Sequence, residues 1–238
     1  MRSGCRRCGL PDIAVLVDAV DSGLRRVGTP ERAANEKRYL KSTLTFYGAT
    51  VPAMRGVVLD VVKPLALDHD DVVALADLLW SVPVHERRMA AVEVLDLRVE
   101  VLGGDDVPFV ERLIRDARTW ALVDPLAICV AGAIVVGDPS AAGALDRWVA
   151  DEDFWVRRAA LLALIAGIRR GAPDLARIER FADALLEEKE FFIRKAIGWL
   201  LRELAKKDPD RVVAFIEPRR GRASGLTVRE AMKPIRQR

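Results

Sequence analysis

Trp199 lies at helical spacing from Lys195, Arg202 and Lys206, within the stretch Glu190 to Val212. On a wheel of ~100° per residue, Ile193, Ile197, Leu200, Leu201 and Leu204 form one face of that helix, and Phe192, Lys195, Trp199, Arg202 and Lys206 form the opposite one. An indole set among cations on a face turned from the core suits a flat anionic polymer, where the ring packs on sugar or base and the cations meet phosphates. The competing reading places Trp199 beneath a neighbouring helix. A second pair, Trp120 and Asp124, is spaced four residues apart, so a helical turn here sets ring and carboxylate on one face. Because Pro125 follows, Asp124 can equally be read as the N-cap of a helix with Pro125 in its first turn.

Other chemistries find no support in the residue types. Two histidines without a partner pattern do not make a nucleophilic triad. Gly103-Gly104-Asp105-Asp106 reads as a turn with a helix cap, not as a phosphate loop. Cys5-x-x-Cys8 supplies half of a zinc site, but Cys129, His69 and His85 are scattered, and three unevenly spaced cysteines argue against a disulfide framework. The expectation is a protein without metal or cofactor.

The elements that position these residues read as helices. Of 238 residues, 51% are hydrophobic but only 6% aromatic, so a core must be built from Ala, Leu, Val and Ile, as in stacked helices. Helical spacing predicts segments at about 12–27, 31–44, 52–62, 70–80, 85–101, 107–118, 125–136, 140–150, 154–168, 174–188, 190–206, 209–216 and 227–236, with Gly, Pro or Asp at most junctions. Thr50 is placed to cap the third. Residues 1–10 are expected to be a flexible basic tail and 11–238 a single domain. No apolar run reaches the ~20 residues of a membrane span and no secretory core follows the N-terminal charges, which predicts a cytoplasmic protein. The net charge of +3 is too small to identify a partner, so the positions of the cations have to.

The chain also repeats. Arg87-Arg88, Arg157-Arg158 and Arg194-Lys195 each open a run of small and then large apolar residues, at intervals of about two and one periods of ~35–45 residues. This predicts an all-α, HEAT-like solenoid, with the cation pairs in register along a concave basic surface that could track phosphates.

Glu190 to Arg202, Phe154-Trp155-Val156-Arg157-Arg158-Ala159-Ala160, Trp120-x-x-x-Asp124 and Arg38-Tyr39-Leu40-Lys41 together resemble the AlkD-type DNA glycosylases, the HEAT-like DNA alkylation repair family. The resemblance runs from about Glu31 to the C-terminus and includes Leu226 to Lys233. It implies an enzyme that hydrolyses the N-glycosidic bond of N3- or N7-alkylated purines in double-stranded DNA, initiating base excision repair as a monomer. Under it, Asp124, Trp120 and Trp199 flank the deoxyribose of the damaged nucleotide, Arg158 holds the backbone and Tyr39 lies near the DNA. Lys195 and Arg202 are phosphate contacts by the wheel argument. Thr119 and Ala121 depart from the family pattern, which often has an aromatic and an acidic residue there. The alternatives are a non-catalytic HEAT-repeat protein that binds damaged or distorted DNA and a protein scaffold; retention of Asp124, Trp120 and Trp199 favours the enzyme.

Overall fold

The computed structural model describes residues 12–235. The N-terminal segment with Cys5 and Cys8, and the end of the last expected helix, lie outside the described residues. The chain divides into two compact units, 1–102 and 103–238, and the described residues of both are helical, with a single isolated β-bridge between Thr45 and Val84.

The first unit contains α1 (Ile13–Val27), α2 (Pro30–Leu40), α3 (Val51–Val62), α4 (His69–Trp80) and α5 (His85–Leu97). Leu16, Val17, Val20 and Leu24 of α1 are buried at three- and four-residue spacing, the stripe expected of a helix packed on one side. Thr50 accepts from the Ala53 amide and caps α3 as expected. Helix α2 buries no residue and ends at Leu40, four residues short of the expectation, because Lys41 turns into the left-handed region at φ 49°. The loop after it is tied down by Glu86, a fully buried carboxylate in the first turn of α5. Its oxygens accept the backbone N–H groups of Tyr47, Gly48 and Ala49 at 2.9, 2.6 and 3.2 Å. Three amides and the positive end of a helix together make a buried anion tolerable. Gly48, at φ 84°, passes so close to the Thr29 carbonyl that no Cβ could fit.

The second unit contains α6 (Val107–Ala117), α7 (Trp120–Pro125), a π-helical segment (Leu126–Ala131) that continues into α8 (Gly132–Gly137), then α9 (Gly143–Trp148), α10 (Phe154–Arg169), α11 (Leu175–Ala184), α12 (Phe191–Ala205), α13 (Pro209–Ile216) and α14 (Gly225–Ala231). Helix α10 is the centre of this unit. All but three of its 16 residues are buried, since the α7–α8 rod and α12 both pack against it. The rod, Trp120 to Gly137, has a mean hydropathy of 2.0 and is apolar enough to resemble a membrane span; the burial of more than half of it within the unit makes it a core element.

The rod also corrects the expected boundary at Pro125. The helix starts at Trp120, capped by Thr119 after Arg118 has turned to φ 49° and ended α6. Pro125 sits inside it. A proline has no N–H to offer the carbonyl one turn back, and the hydrogen-bond ladder beyond it slips to the wider π register, with the Gly132 amide reaching the Ala127 carbonyl. Asp124 is therefore an interior helical residue and not an N-cap.

Helix α12 follows its expected pattern: Ile193, Ala196, Ile197, Leu200, Leu201 and Leu204 are buried. It also packs against α13 and, most extensively, against α14, which crosses at Gly198. A Cβ there would meet the Glu230 Cβ at 2.6 Å and the Thr227 carbonyl at 3.2 Å, and the Thr227 hydroxyl donates to the Arg194 carbonyl at 3.1 Å.

A candidate nucleic-acid site in the second unit

Five tryptophans divide by environment. Trp80, Trp148 and Trp155 are buried, at 1%, 1% and 7% exposure. Trp120 and Trp199 are only partly buried, and these are the two that the spacing singled out. Trp148 has an internal role, since its indole N–H donates to Glu111 Oε2 at 2.7 Å. Trp199 donates from Nε1 to Glu203 Oε1 at 3.2 Å.

Asp124 is one helical turn beyond Trp120 on α7. Its carboxylate faces α10, where Arg158 donates Nε to Oδ1 at 2.7 Å and Nη2 to Oδ2 at 2.8 Å. The remaining arm of the guanidinium, Nη1, donates to the Phe192 carbonyl in the first turn of α12. Arg158 is thus a three-way tie between α7, α10 and α12, only 3% exposed. Burial pushes the Asp124 carboxyl above its ordinary range, while the hydrogen bonds and charge of Arg158, and the charge of Lys195, pull it back down. A carboxylate offers about four lone-pair positions and the arginine fork takes two of them.

The sequence expected Arg158, Lys195 and Arg202 all to meet phosphates. The structure gives them different environments. Lys195 is exposed on α12, its ammonium 5.7 Å from the centre of the Phe191 ring. Arg202 is paired with Glu230 of α14, which also accepts from Lys233 at 2.6 Å. Arg158 is buried against Asp124, and a phosphate could reach it only by competing with that carboxylate. Its role in this arrangement is to hold the acid. Tyr39 belongs to the first unit and is 72% exposed on α2, where it lines an open hollow with Thr29, Glu31, Arg32, Asn35 and Glu36.

The repeated cation pairs prove to be structural at their first member. Arg87 donates to the Leu78 carbonyl at 3.2 Å and pairs with Asp21. Arg157 donates to the carbonyls of Asp151 and Glu152 at 2.6 and 2.9 Å, and Arg194 to that of Glu188 at 2.7 Å. In each repeat the guanidinium therefore reaches back to carbonyls of the preceding helix end or loop. For these first members the phase seen in the sequence reflects the joining of successive helices.

Two features were missed by pattern reasoning. One is an aromatic cluster at the starts of α10 and α12, in which Trp155 lies 4.5 Å from Phe154 and 4.9 Å from Phe192, with the Arg158 guanidinium 5.8 Å from the Phe192 ring. Phe191, beside it, is 53% exposed. The other is Glu203, whose spacing of four from Trp199 was a legible signal.

Residues 20–235 match the family model described as DNA alkylation repair enzyme. No curated protein matches the chain in sequence. Among solved structures, the fold is similar to a predicted DNA alkylation repair enzyme from Enterococcus faecalis, with a TM-score of 0.77 and 22% identity over 87% of this chain and 95% of the other. It is also similar to AlkD2 from Streptococcus mutans, with a TM-score of 0.65 and 18% identity over 93% and 98% of the two chains. At these identities the structural likeness establishes the helical-repeat fold.

Proposed function

We propose that this chain, which belongs to the DNA alkylation repair enzymes, is a glycosylase that releases N3- or N7-alkylated purines from double-stranded DNA. The observation that carries this reading is the buried Asp124 carboxylate beside a partly exposed indole, bound by Arg158 through only part of its accepting capacity. Alkylation at N3 or N7 makes the purine cationic and weakens its bond to C1′. When that bond breaks, its electron pair leaves with the base, which departs neutral and needs no acid. Positive charge then develops on the sugar, and water adds to C1′ and loses a proton.

The protein's task is to stabilise that charge and orient the water. An ionised carboxylate in a poorly solvated site does so more strongly than one in bulk water. The faces of Trp120 and Trp199 add cation–π attraction, and Lys195 contacts the backbone. Such a reaction reads the sugar and phosphates and does not require the base to be drawn into a deep pocket, unlike base-flipping glycosylases.

The test is release of free methylated base from methylated duplex by the wild-type protein and by Asp124→Asn. Asparagine keeps the size of the side chain and loses its charge, so excision is expected to fall by roughly 100-fold or more, the range for a group acting on transition-state charge, with duplex binding nearly unchanged. Equal excision by the variant refutes the assignment. Binding of methylated duplex without base release by the wild-type protein establishes the non-catalytic reading instead.

A further inference from the structure

We infer that Glu203 is a positioning residue for Trp199, its carboxylate fixing the rotation of the indole so that one ring face is presented to the substrate sugar. The inference rests on the role proposed above for Trp199 and extends it to a residue that touches no substrate. A tryptophan on a helix surface has two rotatable side-chain bonds, and packing against one side does not by itself set the plane of the ring. Here the Nε1–H points one turn along α12 to Glu203 Oε1 at 3.2 Å, and the same oxygen accepts from Lys206 at 2.7 Å. The Glu203 side chain is only 12% exposed, so the acceptor is held on two sides and is not a mobile surface carboxylate.

Charge compensates that burial. Desolvation alone would raise the Glu203 carboxyl, but the bonds from Lys206 and Trp199 and the nearby charge of Arg169 hold it below its ordinary range. The acceptor is therefore anionic at neutral pH, and an N–H bond to an anion is about twice as strong as one to a neutral oxygen.

The experiment uses the full chain labelled with 5-fluorotryptophan. Its five tryptophans give five fluorine resonances, and the one lost in Trp199→Phe is that of Trp199. Glu203→Leu is expected to shift or broaden this resonance alone and to lower single-turnover excision roughly 10- to 100-fold, the scale of a misplaced reacting group, while affinity for the same duplex stays within about twofold. Glu203→Gln, which keeps an acceptor oxygen in place, is expected to retain the resonance and most of the rate. An unmoved resonance and unchanged excision in Glu203→Leu overturn the inference, and so does a Gln variant as slow as the Leu one, because charge and not orientation is then what the carboxylate supplies. Should the wild-type protein release no base, the reaction proposed above fails by itself, while the resonance still decides whether Glu203 holds the ring.

Discussion

Replacing Arg158 by Ala separates two roles for this residue. If it meets a phosphate, its loss weakens binding to any duplex and lowers the salt dependence by about 0.9 units of slope, with little change in stability. The geometry demands a different outcome. Arg158 is 3% exposed and makes three hydrogen bonds, two of them to a carboxylate that is itself 9% exposed. Truncation leaves that carboxylate buried without its partner, which costs about 3–5 kcal/mol. For a chain of this size, one kcal/mol moves the melting temperature by roughly 2–4 °C, so the variant should melt at least about 6 °C lower. The deficit should depend on pH. Burial already raises the Asp124 carboxyl, and without the guanidinium it rises further. A carboxyl raised in the folded state is relieved by protonation, so the deficit is largest at high pH and shrinks as pH falls through the folded-state value. Adding Asp124→Asn to the variant removes the orphaned charge and should restore on the order of 0.5–3 kcal/mol as a coupling energy. Thermal melts of the single and double variants between mildly acidic and alkaline pH, alongside duplex binding at several salt concentrations, read both roles. An unchanged melting temperature with a reduced salt slope would refute the buried-pair argument.

Lys195→Ala should weaken binding to damaged and undamaged duplex alike and reduce the salt slope by about 0.9; Arg202→Ala, already neutralised by Glu230, should change the slope by clearly less, and equal effects in a salt titration would contradict the environments described. The pH profile of single-turnover excision should have an acid limb above the ordinary carboxyl value of about 4, because Asp124 must be ionised and burial raises it. In Lys195→Ala that limb should move to higher pH, since a charge that lowers the Asp124 value is gone. Gly198→Ala forces a methyl against α14, and overpacking of about 1–3 kcal/mol outweighs the ~1 kcal/mol that alanine gains in a helix; a calorimetric scan showing a more stable variant would mean that α14 yields.

Much of the fold was legible in the chain. The apolar stripes of α1 and α12 and the cap at Thr50 follow from local physics, and most of the observed helices fall within the expected segments, α7 being the exception. The site was legible only in part. Trp120 and Trp199 were singled out by spacing, and they are the two tryptophans that the core does not absorb. The bond between Asp124 and Arg158 joins residues 34 positions apart, a separation at which helical periodicity carries no information. The misjudged start of α7 has a local cause: Asp-Pro has the same sequence signature whether it opens a helix or interrupts one, and the choice was made by the left-handed turn at Arg118 and the cap at Thr119. Likewise, Arg87, Arg157 and Arg194 show their charge in sequence but not the carbonyls that take it up.

The position of Pro125 bears on how the acid is displayed. A regular helix would bond every carbonyl in the turn preceding the site; the missing proline N–H breaks that ladder directly after Asp124, and the π segment that follows carries the rod into its close approach to α10, where Gly132 lies so near the Ala163 carbonyl that a Cβ would sit at 2.4 Å. Helix α10 brings Arg158 to the acid from the other side, and the Phe192 carbonyl fixes the guanidinium from α12. The carboxylate is thus held by Arg158, which α12 fixes in turn through the Phe192 carbonyl. Burial raises the Asp124 carboxyl, and the hydrogen bonds and charge of Arg158 oppose that rise. The pairing that looks like neutralisation therefore works against the protonation that burial favours, and the arginine fork leaves two of the carboxylate's four lone-pair positions unused.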